Sequence, residues 1–162
     1  MVMPTGAGPR LTRGGIVVGV DGSPGSVAAL RWAIREASTR GGAVHAVTAW
    51  EVLMESTFGD MATVGDFHPV IAAERILVAA LADAGAADTD VTVTTAPVQG
   101  HPAEVLMQQA ERAELLVVGS RGRIFGGLLG SVSQSLAAHA ACPVVVIKPL
   151  ADHDGRRSRA GR

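Results

Sequence analysis

Five short runs of β-forming residues alternate with segments of helical period along this chain, and that alternation restricts the fold more than any other feature. The runs cover residues 15–20 (GIVVGV), 43–50 (AVHAVTAW), 91–96 (VTVTTA), 115–119 (LLVVG) and 144–148 (VVVIK). Each is rich in Val, Ile or Thr and is bounded by Gly, Pro or Asp. Between the first two, Val27, Leu30, Ile34 and Ala37 recur at spacings of three and four, while Arg31, Arg35 and Glu36 fall on the other side. Ser23 suits an N-cap and Pro24 the first helical position. A second helix is predicted over residues 69–84, with Val70, Leu77, Leu81 and Ala84 on one face. Pro102 opens a third, carrying Val105, Leu106, Ala110 and Ala113. A fourth follows Ser131, with Val132, Leu136 and Ala140 inward, and Pro143 stops it.

Strict β-α alternation implies an α/β fold: a doubly wound, mostly parallel sheet with helices on both faces. Composition agrees. Hydrophobic residues make up 48% of the chain but aromatics only 3%, so the core is built from Val, Leu, Ile and Ala. Run 91–94 alternates Val and Thr, as a half-exposed edge strand does. The first, fourth and fifth runs are almost continuously apolar, as buried strands are. With 162 residues the chain is expected to form one domain over 15–149, flanked by a flexible segment at 1–14 and a flexible Arg-rich tail at 150–162. Residues 51–68 show no period and read as a long mobile loop.

Several function classes lose support. The net charge of −1 argues against a nucleic-acid partner. The only basic cluster, Arg156, Arg157, Arg159 and Arg162, follows Asp152 and Asp154 in a tail of Gly, Ser and Ala and reads as solvated chain. The single cysteine, Cys142, permits no internal disulfide, which suits a cytoplasmic protein. Residues 1–15 lack the apolar stretch of a signal peptide, and the longest apolar run, 76–82, is too short to span a bilayer.

The chemistry concentrates in two glycine-rich turns. Residues 117–136 leave a strand, pass through Gly119, Gly122, Gly126, Gly127 and Gly130, and enter a helix at Ser131. Glycines let a ligand approach backbone N–H groups, and a helix N-terminus favours an anion, so this segment reads as a phosphate cradle with the Ser131 hydroxyl at the cap. The first strand ends in GVDGSPGS, which places Asp21 just past its carboxyl end. Ligands of doubly wound sheets sit there, where the strand order reverses. If strands one and four are neighbours, Asp21 and the Gly119 loop line one crevice, and Asp21 can bind a ribose hydroxyl or help hold a metal on phosphates. No dinucleotide fingerprint, P-loop, nucleophile elbow or zinc motif is present. The five histidines are scattered and read as packing or surface residues. Cys142, before Pro143, reads as an inert thiol.

IVVGVDGSPGS, the TAWE after strand two, HPAEVLMQQAERAELLVVGSRG and LLGSVSQSLAAHAACPVVVIKP together resemble a single-domain universal stress protein over about residues 15–149. The resemblance implies a five-stranded parallel sheet of order 3-2-1-4-5. It also implies a homodimer through the last strand, Val144 to Lys148. That agrees with the exposure of an apolar edge strand, which is a liability unless paired. The ATP-binding members carry G-x2-G-x9-G-S/T. Gly119 and Gly122 match its first half, Gly130 and Ser131 its end, but seven residues intervene rather than nine. Carried over, the resemblance implies that Asp21 contacts the ribose or metal region and that the Ala49 backbone reads the adenine edge. Val20 and Val118 would line the base, while Gly119, Gly122, Gly130, Ser131 and Val132 hold phosphate. ATP, with Mg²⁺ on its phosphates, is the implied ligand; the shorter loop suits AMP or cyclic AMP. The function expected is a nucleotide-dependent stress-response regulator with an unknown protein partner and at most weak ATP hydrolysis. The alternatives are a dimeric scaffold of the same family without nucleotide, and a nucleotide hydrolase on the same fold.

Overall fold

Proline and glycine set the limits of the helices. In the computed structural model, which describes residues 15–51, 68–120 and 130–149, helix α1 (Pro24–Arg40) starts behind Ser23, whose Oγ accepts from the Ser26 amide at 3.2 Å. Gly41, in the left-handed region at φ 71°, ends it. Helix α2 (Pro69–Ala84) and helix α3 (Pro102–Gln109) also begin with proline at a position whose N–H has no helical acceptor. Helix α4 (Ser131–His139) follows Gly130. A 3-10 turn at Ala86–Asp88 follows α2.

The strands are β1 (Ile16–Gly19), β2 (Val44–Trp50), β3 (Val93–Gln99), β4 (Leu115–Gly119) and β5 (Val144–Ile147). They form one parallel sheet in the order β3-β2-β1-β4-β5, as expected. Side chains alternate between its faces. Ile16, Val18, Val44, Ala46 and Val117 turn toward α1 and α2, into a core completed by Leu30, Ala33 and Leu77. Val17, Val47, Leu116 and Val118 turn toward α3 and α4, where Val105, Leu106 and Leu136 meet them. The apolar face predicted for α1 is buried; of that predicted for α3, Val105 and Leu106 are buried, but the helix ends at Gln109, so Ala110 and the half-buried Ala113 lie beyond it. Val70 and Leu81 of α2 are only half-buried, and Ala73, Leu77, Ala80 and Ala84 form its inner face.

Two expectations about the edges need correction. Strand β3 begins later than the Val-Thr alternation suggests and runs through Pro97 to Gln99. Val44 N donates to Thr92 O at 2.9 Å and Gly100 N to Trp50 O at 2.9 Å, so the even-numbered residues of β3 bond to β2. Pro97, an odd position, turns its missing N–H to the open edge and costs the ladder nothing. Strand β5 is the other edge. Its four residues are half-buried rather than buried. Leu116 N donates to Pro143 O at 3.0 Å and Ser120 N to Ile147 O at 2.8 Å, so Val144 and Val146 present their amides and carbonyls outward.

Candidate functional site

The chain leaves β1 into α1 on one side of the sheet and returns through α3 to β4 on the other, so the strand order reverses beside β1. A cavity of about 310 Å³ opens there, at the carboxyl ends of the strands. That volume is in the range of small-molecule sites, ~300–1,000 Å³. It runs from Val47 and Ala49 of β2, past Val20 and Asp21 after β1, to Val118 and Gly119 of β4. Gly130, Ser131 and Val132 close that side. Of the nine site residues read from the sequence, eight therefore line one cavity; Gly122 lies outside the described residues.

Close packing brings these strand ends together. A Cβ on Gly119 would stand 2.7 Å from the Gly25 carbonyl carbon and 3.0 Å from the Ser26 nitrogen, so only glycine lets β4 end against the first turn of α1. A Cβ on Gly19 would meet Leu106 Cδ1 at 2.8 Å. Leu106 and Pro102 of α3 line the cavity as well, together with Ser26 and Ser133. These residues were not legible as site residues. They reach the cavity through helix packing, and nothing in their local sequence marks it.

The two helix N-termini at the cavity differ. That of α1 is satisfied by its own chain, through the Ser23 cap. In that of α4 the cap is Gly130 rather than Ser131, which is the first helical residue, and no side chain among the described residues caps it. Gly130 N donates to Ser120 O at 2.8 Å, and the first helical bond runs from Gln134 N to Gly130 O at 3.0 Å. The amides of Ser131, Val132 and Ser133 thus have no intrahelical acceptor and carry the positive end of the helix dipole. The Ser133 hydroxyl turns back to Gly130 O at 2.9 Å.

Among the described residues, Asp21 is the one charged side chain on the cavity wall. Its Oδ1 accepts from Ser23 N at 2.9 Å and from Ser23 Oγ at 2.5 Å. Its backbone N–H donates to Ser26 Oγ at 3.3 Å. The preceding carbonyl, of Val20, accepts from Thr48 Oγ1 at 2.8 Å. Oδ1 is thus engaged, and no hydrogen bond to Oδ2 is found among the described residues. An anion site and a carboxylate acceptor lining one largely apolar cavity can take a molecule with a phosphate, a hydroxyl-bearing middle and a flat apolar end.

A sequence model of the universal stress protein family matches residues 13–148. The chain belongs to the universal stress protein family. A universal stress protein of Mycolicibacterium smegmatis is 35% identical over 144 residues, covering 83% of this chain and 45% of that protein. One from Mycobacterium tuberculosis is 39% identical over 137 residues, covering 82% and 45%. The chain spans about half the length of the curated relatives it matches. Among solved structures, a universal stress protein in complex with cAMP is similar at 29% identity and a TM-score of 0.62, covering 85% of this chain and 97% of that one. No helix among the described residues is long and apolar enough to cross a membrane. The described residues also contain no group of three or more His, Cys, Asp or Glu placed to hold a metal ion.

Proposed function

We propose that this universal stress protein binds an adenine nucleotide in the cavity beside β1 and acts as a nucleotide-dependent regulator. The N-terminus of α4, without a side-chain cap, and the hydrogen-bonded carboxylate of Asp21 line the same cavity, and that pairing carries the reading. The phosphate meets the amides of Ser131 and Val132, a site suited to anions. Asp21 Oδ2 accepts from the ribose. The base lies against Val20, Val47 and Val118, with its polar edge at the backbone of Ala49. The similar solved protein bound to cAMP supports an adenine ligand. The seven-residue spacer between Gly122 and Gly130 favours AMP or cyclic AMP over ATP.

Among the described residues Asp21 is the one acidic group lining the cavity, which fits a Mg²⁺ held chiefly by phosphate oxygens and water when a triphosphate binds. No histidine or second carboxylate among the described residues joins Asp21 at the cavity, which supports binding over turnover, with hydrolysis of ATP weak at most. The outward amides and carbonyls of Val144 and Val146 support a homodimer through β5. The opposite edge is protected by Pro97. Calorimetric titration with ATP, AMP and cyclic AMP, with and without Mg²⁺, tests the binding. Heat saturating at one ligand per chain is expected, and no heat with any of the three overturns it.

A further inference from the structure

Ser23 does two things with one hydroxyl. Its Oγ accepts from the Ser26 amide and so caps α1, and it donates to Asp21 Oδ1. Its own amide adds a second bond to that oxygen, at 2.9 Å. The residue is buried at 6% exposure, so water does not compete well for either partner. The Ser26 hydroxyl closes the circuit by donating to Ser23 O at 2.9 Å while accepting from the Asp21 amide. Gly22, at φ 80°, supplies the turn that brings Ser23 back over Asp21.

We propose that Ser23 is a positioning residue: by holding Asp21 Oδ1 it fixes the carboxylate so that Oδ2 alone is presented to a ribose hydroxyl in the cavity. A carboxylate on a free rotor must be immobilised when ligand binds, whereas one already held in its bound orientation does not. The ligand part of this inference rests on the adenine-nucleotide reading; the orientation of Asp21 does not. The capping and positioning roles separate by chemistry. Aspartate is as good an N-cap as serine but offers no hydrogen to Asp21. Threonine keeps both functions.

The test uses the full chain as wild type, Ser23→Ala, Ser23→Asp and Ser23→Thr. Three-bond couplings across the Asp21 Cα–Cβ bond are measured without ligand, and adenosine, which carries no phosphate charge, is titrated into each protein and into Asp21→Ala and Asp21→Ala/Ser23→Ala. Expected are one Asp21 rotamer in wild type and Ser23→Thr, and couplings shifted toward averaging in Ser23→Ala and Ser23→Asp, where only the backbone amide of residue 23 still holds Oδ1. Adenosine should bind Ser23→Ala roughly 2- to 10-fold more weakly, the cost of immobilising one side chain. No further loss should appear when Asp21 is already alanine. A single Asp21 rotamer retained in both Ser23→Ala and Ser23→Asp overturns the proposal, as does an equal loss of affinity with and without Asp21. If wild type binds no adenosine or nucleotide while the couplings behave as expected, the positioning role stands and the adenine-nucleotide reading fails.

Discussion

Gly119 carries two roles at one position, and only one was legible. A glycine at a strand end before a glycine-rich segment reads as room for phosphate. The close approach of β4 to Gly25 and Ser26 adds a packing requirement that depends on a residue nearly a hundred positions earlier. Gly119→Ala therefore strains the fold itself, because the clashing atoms are backbone and cannot rotate away. Overpacking of this kind costs ~1–3 kcal/mol, and urea denaturation should show that loss even without ligand. His45 was read as an ordinary packing residue, and it is fully buried on the α3 face of β2. Its Nδ1 lies 2.8 Å from Thr94 Oγ1. Thr94 Oγ1 also reaches Val44 O at 3.4 Å, and the buried Nε2 has no hydrogen-bond partner among the described residues. Burial pushes the pKa of His45 below its ordinary value, with Gln109 opposing in part. The unfolded chain thus takes up a proton that the folded chain refuses. The contribution of His45 to stability is complete above about pH 6.5 and falls away as pH drops toward the folded pKa. Unfolding free energies at pH 7.5 and 5.5 should show this loss in wild type and a smaller one in His45→Gln; equal losses contradict it.

At the scale of elements, the helices were easier to read than the strand limits. Prolines 24, 69 and 102 stand at the first helical position in each case, where their chemistry is local. The end of β3 was not legible because whether a proline breaks a strand depends on which way its nitrogen faces. That is set by the register Thr48↔Pro97, a long-range fact. The same parity makes a prediction for β5. Val146 also turns its N–H outward. Val146→Pro should leave the β4 ladder intact and block pairing at that edge, as Pro97 does at the other. Sedimentation should find the wild type dimeric and Val146→Pro monomeric with its circular dichroism preserved; a variant that stays dimeric places the interface elsewhere. The cap of α4 was misplaced by one residue for a similar reason. Serine is a strong N-cap by propensity, but the bond from Gly130 to Ser120 fixes where the chain turns into the helix.

For the whole molecule, the alternation of strand and helix was enough to place the switch point, and with it Asp21 and the α4 turn at one cavity. The α3 contribution was not, since Pro102 and Leu106 enter only once the layers pack. Ligand that binds the folded state alone must also stabilise it, by ~2.7 kcal/mol at a concentration a hundred times Kd. The melting temperature should accordingly rise with AMP or cyclic AMP and not with inorganic phosphate at equal concentration. The central claim is that phosphate sits on the open N-terminus of α4. Ser131 is exposed there, and an acidic residue in a first helical turn favours the helix dipole while repelling a phosphate. The most direct measurement is calorimetric titration of wild type and Ser131→Glu with AMP and with adenosine. AMP should bind Ser131→Glu at least tenfold more weakly, adenosine equally well to both, and the variant should melt no lower than wild type. Unchanged AMP affinity in a folded Ser131→Glu would contradict the account.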